Sequence, residues 1–246
     1  MLVCAIDFET TGLDTAKDSI IEIGAIVYDS TTYKVVESMG VICRPPNNVT
    51  LEPIILKITG ITQEQVDTAD SLHNGLTQLN HLMGMSQVCI AHNKTFDEQM
   101  YLSNCKALAL EPVVKPWICS KDEIPSHYEK PCKKLSHLAL DYGLAVDGSK
   151  LHRALNDVEL MIAMLQKTEL DMSYILEWNN TPWVFIEATN VGKPWVDGGK
   201  GVADAKAEGF RWNGDAKKWL KKIKENEYES EKSRESKFKR VRYLGA

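Results

Sequence analysis

The chain has 246 residues, 43% of them apolar and 26% charged, which suits a globular protein with one full domain and a small appendage. It has no run of about eighteen apolar residues, and Met1-Leu2-Val3 opens a strand-like segment with no basic region before it, so the expectation is a cytoplasmic protein without a membrane span or secretory signal. The net charge of −5 divides into −10 over residues 1–179 and +5 over 180–246, so an acidic body suited to cations is joined to a basic section that either attracts polyanions or is simply a solvated surface.

The six cysteines include no CxxC pair, and the spacing of Cys119, His127, Cys132 and His137 fits no common zinc site, so the thiols read as small buried hydrophobes. Residues 2–8 form an almost unbroken apolar run, expected as a central strand buried on both faces. Segments 20–28 and 33–42 read as two further strands, and the short connections predict an antiparallel meander. After Pro45-Pro46, the segment Leu51 to Ile58 reads as a short helix closed by Gly60. Ser71 to Met83 repeats leucines at helical spacing, and Gln87 to Ala91 reads as a short buried strand. A helix from about Phe96 to Ala107, a strand over Val113 to Cys119 and a loop over 120–133 follow. Lys134 to Tyr142, closed by Gly143, and His152 to Lys167 are expected helices. Three antiparallel strands followed by alternating strands and helices describe an α/β domain with a mixed central sheet over residues 1–175.

Beyond Asn179-Asn180-Thr181-Pro182 the composition changes, with Trp183, Trp195, Trp212 and Trp219 in a small, basic α+β module over 183–224. Gly198 to Gly201 reads as a turn, and Ala203 to Glu208 and Asp215 to Lys224 as short helices. Residues 225–246 are highly charged and read as a flexible tail or frayed helix.

Three motifs carry candidate chemistry. The first is Ala5-Ile6-Asp7-Phe8-Glu9-Thr10-Thr11-Gly12. Asp7 and Glu9 leave the same face of a strand, roughly 7 Å apart, where two carboxylates repel without a cation between them. The second, Ala91-His92-Asn93-Lys94-Thr95-Phe96-Asp97, puts Asp97 in the first turn of a helix above a strand's carboxyl end. Taken singly, Asp97 reads as an acid complementing the helix dipole. In the third, His152-Arg153-Ala154-Leu155-Asn156-Asp157, a histidine able to deprotonate water at neutral pH precedes a helical aspartate. Hard divalent cations would account for acidic groups at the ends of apolar runs.

The order D-x-E-T-T-G-L, A-H-N-x-x-F-D, H-x-A-L-x-D resembles the DnaQ-like, or DEDDh, 3′–5′ exonucleases. That family includes the epsilon proofreading subunit of DNA polymerase III and exodeoxyribonuclease X. Ile58-Thr59-Gly60-Ile61-Thr62 is similar to the family's I-x-G-I-T stretch, with Thr59 where relatives often carry His. Lys134-Leu135-Ser136-His137-Leu138 is similar to its helix before the third motif, and the likeness covers residues 1 to about 168. The resemblance implies an RNase H-like fold and a centre of two divalent cations, Mg²⁺ with Mn²⁺ as the alternative. Asp7, Glu9 and Asp157 would hold the catalytic ion, Asp7 would bridge to the second, Asp97 would complete the acidic set, and His152 would be the general base. Thr10, Thr11, Leu13, the Gly60-Ile61-Thr62 segment, His92 and Asn93 would contact the terminal nucleotide, and Phe96 reads as core, with stacking on a base as its alternative.

The function so implied is hydrolysis of DNA from single-stranded or frayed 3′ ends to nucleoside 5′-monophosphates. Two rivals stand beside it: an exoribonuclease of the RNase T or oligoribonuclease kind, and a nucleic-acid-binding adaptor on an inactive nuclease fold. A polymerase or other replication partner is a further expectation. In the C-terminal section Lys200, Arg211, Trp212, Lys217 and Lys218 are candidate nucleic-acid contacts, while protein contact and a purely structural extension remain the alternatives.

Overall fold

The computed structural model describes residues 1–47, 49–127, 130–148, 151–193 and 201–244. The chain divides into two compact units, Met1–Leu176 and Glu177–Ala246.

Unit 1 begins with the strands β1 (Leu2–Thr10), β2 (Ile20–Asp29) and β3 (Val35–Arg44), paired antiparallel in sequence order. Two short helices, α1 (Pro53–Thr59) and α2 (Gln63–Thr68), lead to β4 (Asp70–Ser71) and the helix α3 (Leu72–Met85). Next come β5 (Val88–Ala91), α4 (Lys94–Ala107), β6 (Trp117–Cys119), α5 (Leu135–Asp141), α6 (Ala154–Lys167) and α7 (Met172–Asn180), the last running across the unit boundary. Among the described residues these strands form one six-stranded mixed sheet in the order β4-β3-β2-β1-β5-β6. The strand expected over Val113 to Cys119 is limited to its last three residues, because Pro116 has no N–H to give to a ladder.

Strand alternation sets two cores. Cys4, Ile6 and Phe8 of β1 pack with residues of α3 and α4, and Val3 and Ala5 pack with residues of α5 and α6. The apolar run of β1 is therefore covered on both faces. Asp7 and Glu9 continue the Val3–Ala5 row toward the carboxyl end of the strand.

Unit 2 comprises β7 (Trp183–Thr189), α8 (Val202–Ala207), β8 (Arg211–Asn213), β9 (Lys218–Lys224), α9 (Tyr228–Ser233) and β10 (Lys239–Arg242). Its described strands make a four-stranded antiparallel sheet in the order β10-β7-β9-β8. The expected helix over Asp215 to Lys224 is thus corrected to strand β9. Trp219, Leu220 and Ile223 mimic helical spacing, but Trp219 and Ile223 face the core together with Lys221, whose amine reaches Glu231 of α9 at 2.8 Å. The expected flexible tail over 225–246 is also corrected. It carries α9 and β10, and Phe238 and Arg240 are buried. The buried Arg240 charge is met by Glu208, Glu231 and the Arg234 carbonyl, neighbours that a charge count along the chain does not show. The expected turn at Gly198 to Gly201 lies largely outside the described residues, as does Lys200.

Candidate active site

Three elements meet at the carboxyl end of β1. The ladder sets Asp7 opposite Gly24 and Glu9 opposite Glu22 of β2. A Cβ on Gly24 would come within 2.2 Å of the Ala154 carbonyl carbon. The bare backbone there lets the first turn of α6 lie directly on the sheet, which brings its third motif over the first. β5 pairs with β1 only from Val3 to Ala5, so past that point the edge of β1 is open to the start of α4. Asp97, 3% exposed, occupies that opening.

His152 and Arg153 precede α6, where the sequence places them at the helix start. His152 adopts a left-handed backbone conformation, φ 60°, sparsely populated by residues with a Cβ although histidine is among those enriched there. Its amide donates to Asp157 Oδ2 at 3.0 Å, tying the histidine to the helical aspartate. Ligand atoms of Glu9, His152 and Asp157 all lie within 4.8 Å of one another, the one such group among the described residues. Asp157 Oδ1 is buried and has no hydrogen-bond partner among them.

A residue the sequence reading missed holds this arrangement. Glu22, 3% exposed, accepts from Arg153 through Nε at 3.0 Å and Nη2 at 2.7 Å, and from the Ala154 amide at 3.0 Å. It therefore caps the N-terminus of α6, favourable for an anion, and pins Arg153 beside His152. The signal was a lone acid inside the apolar run Ile20-Ile21-Glu22-Ile23.

The electrostatics of the group are unfavourable without a counter-charge. Burial raises the Asp7 carboxyl well above its ordinary range, and Asp97, Glu9 and Asp157 add to the rise. Burial, then Asp157 and Glu22, push Glu9 up to about 8, while Arg153 pulls the other way. Burial lifts Asp97 to about 7, opposed by the backbone amides of Asp97 and Phe8. Asp157 is raised by burial and lowered by its bond to the His152 amide. Hard oxygen donors, an orphaned buried carboxylate oxygen and mutual repulsion together fit a divalent cation.

The expected nucleotide contacts separate into two groups. Leu13 is 85% exposed and Asn93 is exposed. Gly60, at φ 71° where α1 ends, lines an open cleft of about 730 Å³ with His152, Arg153, Ile54 and Ile58. The remainder are engaged within the protein. Thr10 is buried and donates to the Gly12 carbonyl, and Thr11 donates to Asp18. Ile61 is in the core, and the Thr62 side chain caps α2. Phe96 packs on the α3–α4 core. His92 is anchored within the protein: one ring nitrogen bonds Ser120 Oγ at 2.9 Å and the other the Lys133 carbonyl at 2.8 Å. Burial lowers its pKa to about 4, so the ring is neutral. In unit 2, Trp212 is half-buried and packs edge-on against Trp219 at the margin of the core. Arg211 donates to the Lys206 and Phe210 carbonyls, and Lys217 is exposed. Among the described residues no helix is long and apolar enough to cross a membrane.

Residues 4–165 match the family model RNase_T, described as exonuclease. Among curated proteins the chain is 29% identical over 179 residues to "DNA polymerase III PolC-type" of Caldanaerobacter subterraneus subsp. tengcongensis, covering 71% of this chain and 12% of that one. It is 27% identical to "3'-5' exoribonuclease 1" of Mus musculus (67% and 53% covered) and 28% identical to "DNA polymerase III subunit epsilon" of Treponema pallidum (65% and 73%). The chain thus spans about half or less of the length of the first two. Among solved structures, E. coli Exonuclease I with a dT13 oligonucleotide is similar at TM-score 0.63 and 18% identity, covering 76% of this chain and 48% of that one. The nuclease domain of 3'hExo bound to rAMP is similar at TM-score 0.59 and 23% identity, covering 68% and 92%. The fold is RNase H-like, and the chain belongs to the exonuclease family of DnaQ-like proteins.

Proposed function

We propose that the chain is a metal-dependent 3′–5′ exonuclease acting on single-stranded or frayed 3′ ends of DNA and releasing nucleoside 5′-monophosphates. The observation that carries this reading is the convergence of Glu9, His152 and Asp157 within 4.8 Å beside the unpartnered Asp157 Oδ1. Asp7, Glu9 and Asp157 would hold the catalytic divalent cation, with Asp7 reaching a second ion and Asp97 completing the acidic set. Mg²⁺ is the first choice and Mn²⁺ the alternative. Such ions acidify water and offset charge developing on phosphate oxygens.

The chain's own residues supply the rest. His152, exposed and fixed through its amide by Asp157, takes the proton of the attacking water at a ring nitrogen. Glu22 and Arg153 hold the segment carrying it. The half-exposed Ile54 and Ile58 give the cleft beside His152 an apolar wall against which an unpaired terminal base can lie.

Digestion of 5′-labelled single-stranded DNA and RNA of matched sequence, in Mg²⁺, Mn²⁺ and EDTA, tests the reading. A metal-dependent ladder shortening from the 3′ end, faster on DNA, is expected. Faster cleavage of RNA would favour the second reading, an exoribonuclease, which the likeness to 3'-5' exoribonuclease 1 supports. Cleavage of neither would leave the adaptor. A polymerase partner is supported by the likeness to polymerase III subunits, and copurification with a polymerase checks it.

Glu22→Gln is expected to lower kcat by about 100-fold while leaving KM nearly unchanged, because it displaces His152 without touching substrate. A general loosening of the fold would instead move KM and kcat together.

A further inference from the structure

One face of the unit 2 sheet carries α8 and α9, and the other is covered at one end by Trp178 of α7, which packs on Trp183 and Lys224. Val184, Ile186, Ala188, Trp219 and Ile223 point to the core shared with α8, and Lys221 of the same face reaches α9. Alternation and register place the intervening residues together on the opposite face, where Phe185 pairs with Lys222, Val241 with Glu187, and Lys239 with Thr189. Phe185 is 44% exposed and Val241 41%, although both lie within strands.

The charge of this face is one-sided. Among the described strand residues Glu187 is its one acid, and Lys218 neutralises it at 2.6 Å while lying over the Tyr243 ring at 5.3 Å. Lys224 is buried, bonded to the Thr181 carbonyl and held over Trp178 and Trp183. Lys222 and Lys239 are exposed, Lys222 opposite Phe185 and over Trp183 at 4.7 Å, and Lys239 opposite Thr189, four residues further along β7. An exposed ring among exposed ammonium groups is poorly suited to an apolar protein surface, where Lys is depleted. It suits a polymer of flat bases on an anionic backbone, which has a π-face for the ring and phosphates for the cations. The excess of +5 over residues 180–246 agrees with that polarity.

We propose that the exposed part of this sheet face binds single-stranded nucleic acid, with Phe185 stacking on a base and Lys222 and Lys239 contacting phosphates. The proposal rests on the nuclease reading of unit 1 for its purpose, and its test is independent of that reading.

The full chain is titrated in EDTA with 5′-fluorescein-labelled dT20 and followed by anisotropy at several salt concentrations. Phe185→Ala should weaken binding about 10-fold, and Phe185→Leu, which keeps the bulk and loses the ring, nearly as much. Lys222→Ala with Lys239→Ala should flatten the slope of log K against log salt by about 1.4, for two single-strand phosphate contacts. Melting temperatures near that of the wild type show that the variants fold, and Phe185→Leu is the conservative control if Phe185→Ala does not. Affinity within twofold of wild type and an unchanged slope would overturn the proposal. So would variants that alter only the oligomeric state in size exclusion, which would assign the face to protein contact. Separately, the wild type is assayed on a trinucleotide with Mg²⁺. Failure to cleave it counts against the nuclease reading and leaves the binding result standing.

Discussion

Asp7→Asn is expected to reduce exonuclease turnover by about 1,000-fold or more, roughly 4 kcal/mol of transition-state stabilisation. In EDTA the same substitution is expected to raise the melting temperature. The two effects have one cause. Asp7 is half-buried among Asp97, Glu9 and Asp157, and its charge is disfavoured by desolvation and by each of them. Asparagine keeps the shape and removes the charge, so the metal-free protein loses a repulsive interaction and the holoprotein loses a ligand. Retention of more than a few per cent of wild-type activity, or a lowered melting temperature in EDTA, would show that Asp7 is not part of a cation site.

A second large effect links metal, pH and stability. Glu9 has an ordinary pKa near 4.5 and one of about 8 in the folded chain, and Asp97 moves from 3.8 to about 7. A raised carboxyl pKa means that the folded chain binds more protons than the unfolded chain between those limits, so stability falls as pH rises through the window. Below it both forms are protonated and nothing is lost; above it both are ionised and the full penalty applies. In EDTA the melting temperature should fall by roughly 5 °C between pH 5 and 8, a loss of about 2 kcal/mol after allowance for solvent screening. Mg²⁺ binds the ionised carboxylates, so its stabilising effect should be large at pH 8 and small at pH 5. Differential scanning calorimetry at both pH values checks this, and an equal shift by Mg²⁺ at both would refute it.

Much of the site was legible because its parts are local. Asp7 and Glu9 share a face because a strand has a period of two residues, whatever surrounds it. Asp157 belongs to a helix whose apolar stripe is plain in Ala154, Val158, Met161, Ile162 and Leu165. The order of three motifs resembling one family then joined residues far apart in the chain. The pattern gave no sign that His92 is held at both ring nitrogens, or that Ile61 and Thr62 complete a core and a cap, because those partners lie outside the motif.

In unit 2 the local signal misled. Trp219, Leu220 and Ile223 have helical spacing, yet pairing with β7 and β8 makes the segment a strand, because ladder hydrogen bonds and the shared Trp212–Trp219 contact outweigh propensity. A basic charge count could not show which lysines lie with Phe185 on one face.

The sequence by itself determined the mixed α/β architecture and named the candidate acidic set and its histidine, since each is written in short-range periodicity and motif order. The tertiary structure alone decided how α6 is set on the sheet. That depends on the bare backbone of Gly24 and on Glu22 reaching Arg153 across 131 positions of chain, and a contact between residues so far apart exists only once the sheet has formed beneath the helix.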